Sequence, residues 1–487
     1  MSGKDPGPRT ASRRRFIAAG AFCVGGGSLA LLEGAAVAQT DAPAADPDLA
    51  RIRASRRILL KNGVVLTLDP QIGDFAQADV LIEDGKIRAV RPNLAISDAA
   101  IVDAQNRIII PGFADTHSHS YQGLLRSLLA NGLLEPDYNR DIQNNLTLAY
   151  RPEEAYAGVL ATALGMITTG TTTVVDLSQV SHSPEHSDAC LTALRDSGIR
   201  AVYAFARGAG PTARYPQDLG RLQRTWFNSK DQLLPRALTG NMTAEVYKAG
   251  RDAGVPVVQH LVGKDLSPAL LSFGRAGLMR PGDEYIHCLG INDEAWRLIR
   301  DTGGRVSICA PIDMTMGHGM PAIQDALDHG FRLSLSSDHG VTIAQDMFSI
   351  ARTTFALQRL MILQRAAKGE QNLPRLLTCR DMLEFATVDG ARCANLEDRS
   401  GTLAPGKSAD IVMLKADGFD VWPLNNAPGT VVNLMNPSHV ENVFIAGKVR
   451  KWRGALVGID IPTVMRRIAN ARDALLARTV FPRNLLG

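Results

Sequence analysis

Cysteine is scarce in this chain and poorly spaced for structural use: of 487 residues only 6 are cysteine, and no two stand in a Cys-x-x-Cys pair. With Cys23 set aside in an N-terminal leader, the odd set Cys190, Cys288, Cys309, Cys379 and Cys393 supports neither a disulfide framework nor a thiolate zinc site. Most of the five are expected as small buried apolar residues. A membrane span is missing as well. The apolar run from Phe16 to Leu32 is shorter than the roughly 20 residues a bilayer requires, and glycines break it. Charge of one sign is also lacking. The net charge is +4, and within residues 1–38 Lys4, Arg9, Arg13, Arg14 and Arg15 outnumber Asp5 and Glu33 by three. The remainder is nearly neutral, which gives no footing for nucleic acid or an anionic membrane as partner. Apolar content and Gly/Pro usage are those of a globular protein, and the length favours one large domain with a smaller one.

Residues 1–38 have the three parts of an export signal: a basic stretch at Arg13-Arg14-Arg15, an apolar run, and the small-residue sequence Ala36-Val37-Ala38. The arginine pair before Phe16 resembles the twin-arginine signal of bacteria, a route taken by folded proteins, and it implies a periplasmic or secreted location. Phe22 ahead of Cys23 is too bulky for lipoprotein cleavage, so no stable membrane anchor is expected after cleavage.

From Arg57 onward the chain reads as short strands and turns, with Asn62-Gly63 and Asp84-Gly85 as hairpin signals between apolar runs. The same texture returns at Ala409–Leu414 and Val443–Val449. One small β-sandwich domain is therefore expected from residues 55–110 and 397–460, with a tail at 461–487. Between them, residues 111–396 alternate strand and helix. Strands are predicted at Gly112–His117, Thr172–Leu177, Ala201–Ala206, Arg236–Thr239, Val255–His260, Tyr285–Cys288, Val306–Ala310 and Leu333–Ser337, and helices at Pro152–Thr168 and Asn292–Thr302. Eight strands with helical crossovers predict an α/β fold, a closed (β/α)8 TIM-type barrel inserted in the β domain. An amphipathic helix over Asp346–Arg359 should pack its apolar face on the barrel, and another over Thr463–Leu476 suits a subunit contact in a homo-oligomer.

Residues two apart on a strand share a face, so His117 and His119 in Pro111-Gly112-Phe113-Ala114-Asp115-Thr116-His117-Ser118-His119 project together past the first strand. Two imidazoles so placed suit zinc or ferrous iron. His260 ends the fifth predicted strand, His287 ends the sixth and Asp338 follows the eighth, and in such a barrel the carboxyl ends of strands converge on one face. His182, His186, His329 and His439 read as incidental.

This ordered set, with His287-Cys288 and Ser336-Ser337-Asp338, resembles the metal motifs of the amidohydrolase superfamily. The likeness is to the branch of cytosine, guanine and methylthioadenosine deaminases and triazine hydrolases, and it spans essentially the whole chain beyond the leader. The resemblance implies His117, His119, His260 and Asp338 as ligands of one divalent metal ion, with His287 beside the attacking water or the substrate. Binuclear members carry a carboxylated lysine at the fourth strand end; no lysine follows Arg236–Thr239 before Lys248, so one ion is expected. A divalent ion lowers the pKa of a coordinated water to about 7. Asp338 would relay the proton to the leaving nitrogen, and His287, as a neutral donor, would stabilise the tetrahedral oxyanion.

One position departs from the branch. Its deaminases carry a glutamate three residues beyond the fifth-strand histidine, where Gly263 stands here. Hydrolysis of a C–N bond in a small nitrogen-containing compound is therefore expected ahead of aromatic deamination, with a ligand-binding barrel without turnover as a third possibility. Asp265 would replace the glutamate only if its loop turned inward. Gln122, Arg126, His318 and His339, near strand ends, are candidate contacts to a small-molecule substrate.

Overall fold

The computed structural model describes residues 46–227, 236–479, 481–482 and 485–486. The leader expected at 1–38 lies outside them. The chain divides into two units at Asp46, and everything below concerns Pro47 onward.

Eight parallel strands follow one another in hydrogen-bonded order: Phe113–Ser118, Thr171–Ser178, Arg200–Phe205, Arg236–Thr239, Val257–His260, Glu284–Ile286, Arg305–Ile308 and Leu333–Leu335. Each lies within two residues of its predicted start. β-Branched runs such as Thr171-Thr172-Thr173-Val174-Val175 favour the extended backbone, and that strand is buried throughout. The eighth strand returns to the first where Asp338 N–H donates to His117 O at 2.9 Å and His119 N–H donates to Asp338 O at 2.7 Å. Closure and the histidine motif thus coincide. The barrel interior carries hydroxyls, with Thr116 Oγ1 at 2.7 Å from Ser307 Oγ and 2.9 Å from Ser334 Oγ, so these buried polar groups satisfy one another.

The helix Pro152–Thr168 has the predicted bounds, and Asn292 caps Asp293–Asp301 by accepting from Ala295 N–H. Gly158 lets the first of these press against the segment after His119: a Cβ there would lie 2.0 Å from Tyr121 O. The helix Met347–Ala367 buries Met347, Phe348, Ile350 and Ala351, and Phe348 meets Phe113 edge-on at 5.2 Å, as its apolar face predicted.

The β domain forms from both chain ends as one nine-stranded sheet, with strands between Arg57 and Pro111 and between Ile411 and Leu456. Asp84-Gly85 makes the expected two-residue hairpin, with both residues at positive φ. Asn62-Gly63 does not. The strand Arg57–Val65 runs through it with a bulge, leaving Ala100–Asp103 as partner and pairing next with Ile108–Ile109. Asp79 accepts from Asn62 N–H at 2.9 Å, which satisfies the donor that the bulge leaves over.

Two buried polar ties join sheet and barrel. Arg200, opening the third barrel strand, forms a two-pronged pair with Asp410 at 2.7 and 3.1 Å. Lys451 donates to Thr168 O at 2.7 Å, at the end of the helix Pro152–Thr168. The tail helix Ile461–Arg478 buries Leu475 and Leu476 and Arg478 donates to Ala149 O, so that end of it packs on its own chain. No helix among the described residues is long and apolar enough to cross a membrane.

Candidate metal centre

The strand ends bring His117, His119, His260, His287 and Asp338 together. His117 Nε2 and His119 Nε2 stand 3.1 and 3.3 Å from the same oxygen, Asp338 Oδ1. The His260 ring lies 4.7 Å from that of His117 and stacks on that of His119 at 5.4 Å. Donor atoms of His117, His119 and His260 all lie within 4.8 Å of one another. In a tetrahedral site with bonds of about 2.0–2.1 Å, neighbouring donors stand about 3.3 Å apart, so the spacing fits one small divalent ion.

The electrostatics fit the same ion. Burial, with repulsion from His117, lowers His119 to about 3 and His260 well below the ordinary imidazole value, so both rings are neutral and offer lone pairs. Burial also lowers His117. Burial opposes ionisation of Asp338, but His339, His117 and His119 outweigh it and hold the carboxylate charged. Neutral imidazoles around a carboxylate are the protonation states that a metal ion takes up. His119 Nδ1 lies 3.4 Å from Leu177 O, a carbonyl that turns Nε2 toward the centre.

The backbone is bent to make this arrangement. Asp338, His287 and Cys288 sit at φ values of 60°, 64° and 58°, in the left-handed region that non-glycine residues seldom occupy. Asp115 buttresses the turn, accepting from Ser337 N–H at 3.0 Å, from the Ser337 hydroxyl at 2.5 Å and from His117 N–H at 3.3 Å.

The remaining candidates divide. His318 and His339 are at the centre. His318 packs edge-on against His287 at 5.2 Å, and His339 stacks on Tyr138 at 4.7 Å. Gln122 is buried and donates to Tyr121 Oη at 2.9 Å and Tyr138 Oη at 2.7 Å, which ties the segment after His119 together. Arg126 donates to Ala161 O at 2.7 Å and anchors that segment to the neighbouring helix. Gly263 is exposed at φ 85° with open space around it, and Asp265 is exposed too, accepting from Ser267 N–H at 2.8 Å. The loop does not turn inward. His182 and His186, meanwhile, hold Thr147 O at 2.8 Å and Tyr150 O at 3.0 Å.

Several residues were not legible beforehand. Asp313, fully buried, stands 2.7 Å from His287 Nδ1 and 3.2 Å from His318 Nδ1. Through it, against the cost of burial, His287 is raised above the ordinary value. The signal available was an acid four residues beyond Cys309, in the loop after the seventh strand. Cys309 is buried as expected, but its sulfur joins the donor group of His117, His287 and Asp338. Beside His260 a cavity of about 240 Å³ is lined by Gln179, Gln259, Arg207, Asn241 and Met242, and Gln259 Nε2 is buried without a partner.

Among known proteins, the amidohydrolase family model matches residues 108–270 and 271–450. A 5-methylthioadenosine/S-adenosylhomocysteine deaminase of Caldicellulosiruptor saccharolyticus is 25% identical over 447 residues, covering 86% of this chain and 98% of the relative. A 5'-deoxyadenosine deaminase of Methanosarcina mazei is 24% identical over 451 residues, covering 86% and 99%. The fold is shared with a zinc-bound adenosine deaminase of Xanthomonas campestris, at a TM-score of 0.76 and 21% identity over 86% of this chain and 98% of that one. It is shared also with a mutant atrazine chlorohydrolase of Arthrobacter aurescens complexed with zinc and atraton, at a TM-score of 0.75 and 20% identity over 85% and 100%.

Proposed function

The chain belongs to the amidohydrolase family and is a hydrolase of carbon–nitrogen bonds other than peptide bonds, and from that premise we propose that it cleaves an amide, cyclic amide or amidine in a small nitrogen-containing compound. His117, His119, His260 and Asp338 would hold one divalent ion, with zinc favoured over iron by the zinc in two structural neighbours. When bound, that ion supplies the positive charge that acidifies a water molecule. Asp338, ionised and buried, accepts a proton from the attacking water and returns it to the leaving nitrogen. His287 Nε2 lies 3.9 Å from the other Asp338 oxygen, Oδ2, and would stand beside the attacking water or the substrate.

The observation that carries this reading is the convergence of His117 and His119 on one Asp338 oxygen at strand ends far apart in sequence. The preference for amide-type cleavage rests on Gly263, whose exposed, left-handed loop brings no carboxylate to the site for protonating a ring nitrogen. Deamination of an aminated heterocycle is the second reading, favoured by the names of the curated relatives. A panel of amides, hydantoins and aminated heterocycles, scored for amine and ammonia release by zinc-loaded protein, separates the two. Ammonia from heterocycles alone would overturn the first reading, and a full metal load with no product would favour a binding protein.

Export belongs to the same proposal: residues 1–38 direct the folded, metal-loaded enzyme to the periplasm. Cell fractionation should find the mature chain there, and the paired substitutions Arg14→Lys and Arg15→Lys should leave it in the cytoplasm.

A further inference from the structure

A cavity of about 580 Å³ opens where the terminal sheet meets two barrel helices, and it shares no residue with the strand-end histidines. Ile167 and Ser197 on its wall stand at the ends of the helices that lead into the second and third barrel strands. The cavity therefore lies at the amino ends of the strands, on the face opposite the candidate metal centre. Arg53, Arg56, Lys448 and Arg450 line it, against the carboxylates of Asp84 and Asp196. Both acids are already engaged. Arg56 donates to Asp84 at 2.8 and 2.6 Å, and Asp196 accepts from Arg195 at 3.0 Å and from Tyr156 Oη at 3.1 Å. Arg53, Lys448 and Arg450 are left without a carboxylate partner among the described residues. The first two are exposed, where water suffices. Arg450 is half-buried over Gly198, where a Cβ would collide with its guanidinium, and its Nε is buried with no acceptor. Burial lowers its pKa, and no neighbouring charge offsets that.

We propose that this cavity is a second ligand site, for a small multivalent oxoanion of the phosphate class, with Arg450 as its fork and Lys448 and Arg53 beside it. A guanidinium only donates, so its buried Nε–H needs an acceptor, and the planar fork matches two oxygens of one phosphate. The two further cations favour a dianion over a monovalent ion. The wall is drawn from the sheet strand Lys448–Trp452, the helix Pro47–Ala54 and the barrel helices Pro152–Thr168 and Pro184–Ser197. A bound anion thus joins sheet to barrel, as Arg200 and Lys451 do from within the protein.

Calorimetric titration of inorganic phosphate into the metal-loaded full chain, at low ionic strength and with no free zinc, should show a saturable site. Thermal scans should show a matching rise in melting temperature. Arg450→Met should weaken phosphate about 10–100-fold, the share of a charge-assisted contact, and lose the thermal shift. Lys448→Met, at an exposed position that leaves folding intact, should weaken it by a smaller factor. Free of phosphate, Arg450→Met should melt no lower than the wild type, because the cation it removes has no partner to lose. A lower melting temperature would mark a structural cation instead and overturn the inference. Phosphate held as tightly by Arg450→Met as by the wild type would put the anion elsewhere, such as at the metal ion, and overturn it too, as would no binding at millimolar phosphate. Glycerol 3-phosphate run alongside identifies the source: tighter binding than inorganic phosphate points to an organic phosphate ester, and equal or weaker binding to the free ion.

Discussion

Asp338 combines three demands in one side chain: it completes the closure of the barrel, adopts a left-handed backbone and keeps a carboxylate charged beside three imidazoles. Replacing it with asparagine keeps the shape and removes the proton acceptor. Asp338→Asn is expected to lower kcat by about 10²–10⁴-fold, the usual span for loss of a positioned acid–base group, measured with bound zinc assayed in parallel. The sequence singled out this residue and the four histidines as candidates because chemistry restricts which side chains can bind metal, and the fold brings them together. Asp313 stayed hidden, since an acid in a loop is ordinary until its neighbours are known. Gln122 and Arg126 were legible as strand-end residues, but only packing decided that they hold the loop together.

Between elements, the buried ties of barrel and sheet are costly to break from one side, because the partner left behind stays buried. Arg200→Met would leave the Asp410 carboxylate buried and unpaired, at an expected cost of about 3 kcal/mol in chemical denaturation. Lys451 gives a pH signature instead. Burial lowers it to about 8 from the ordinary 10.5, so between those values the unfolded chain holds a proton that the folded chain has released. Stability attributable to Lys451 should therefore rise with pH from about 8 to about 10.5 and be lowest below that window. Denaturation midpoints of the wild type at about pH 7.5 and about pH 9.5 should show this rise, and Lys451→Met should lose it. Barrel strand bounds were readable here to within two residues, because buried barrel strands are apolar runs between turns, whereas the helix from Met347 runs to Ala367, past the predicted end at Arg359. Asn62-Gly63 misled because the same left-handed dipeptide serves a hairpin and a bulge; which one forms depends on the strands alongside, Ala100–Asp103 and Ile108–Ile109.

For the molecule as a whole, an ion held as proposed would be a ligand of the folded state alone, since its candidate donors come from the ends of strands one, five and eight. Chelation should lower the melting temperature and zinc should restore it. At a free ion concentration a hundredfold above Kd the gain is about 2.7 kcal/mol. His117→Ala should show no zinc-dependent shift in the same thermal scan. By itself the sequence determined the (β/α)8 architecture, the split terminal sheet and the candidate metal ligands, because periodicity, turn residues and ligand chemistry are local properties of a chain. Only the tertiary structure decided which other residues lie beside them. Asp313 meets His287, the Asp265 loop stays turned outward and Gly263 faces open space, since hydrogen-bond partners, burial and loop direction exist only once distant segments are packed together.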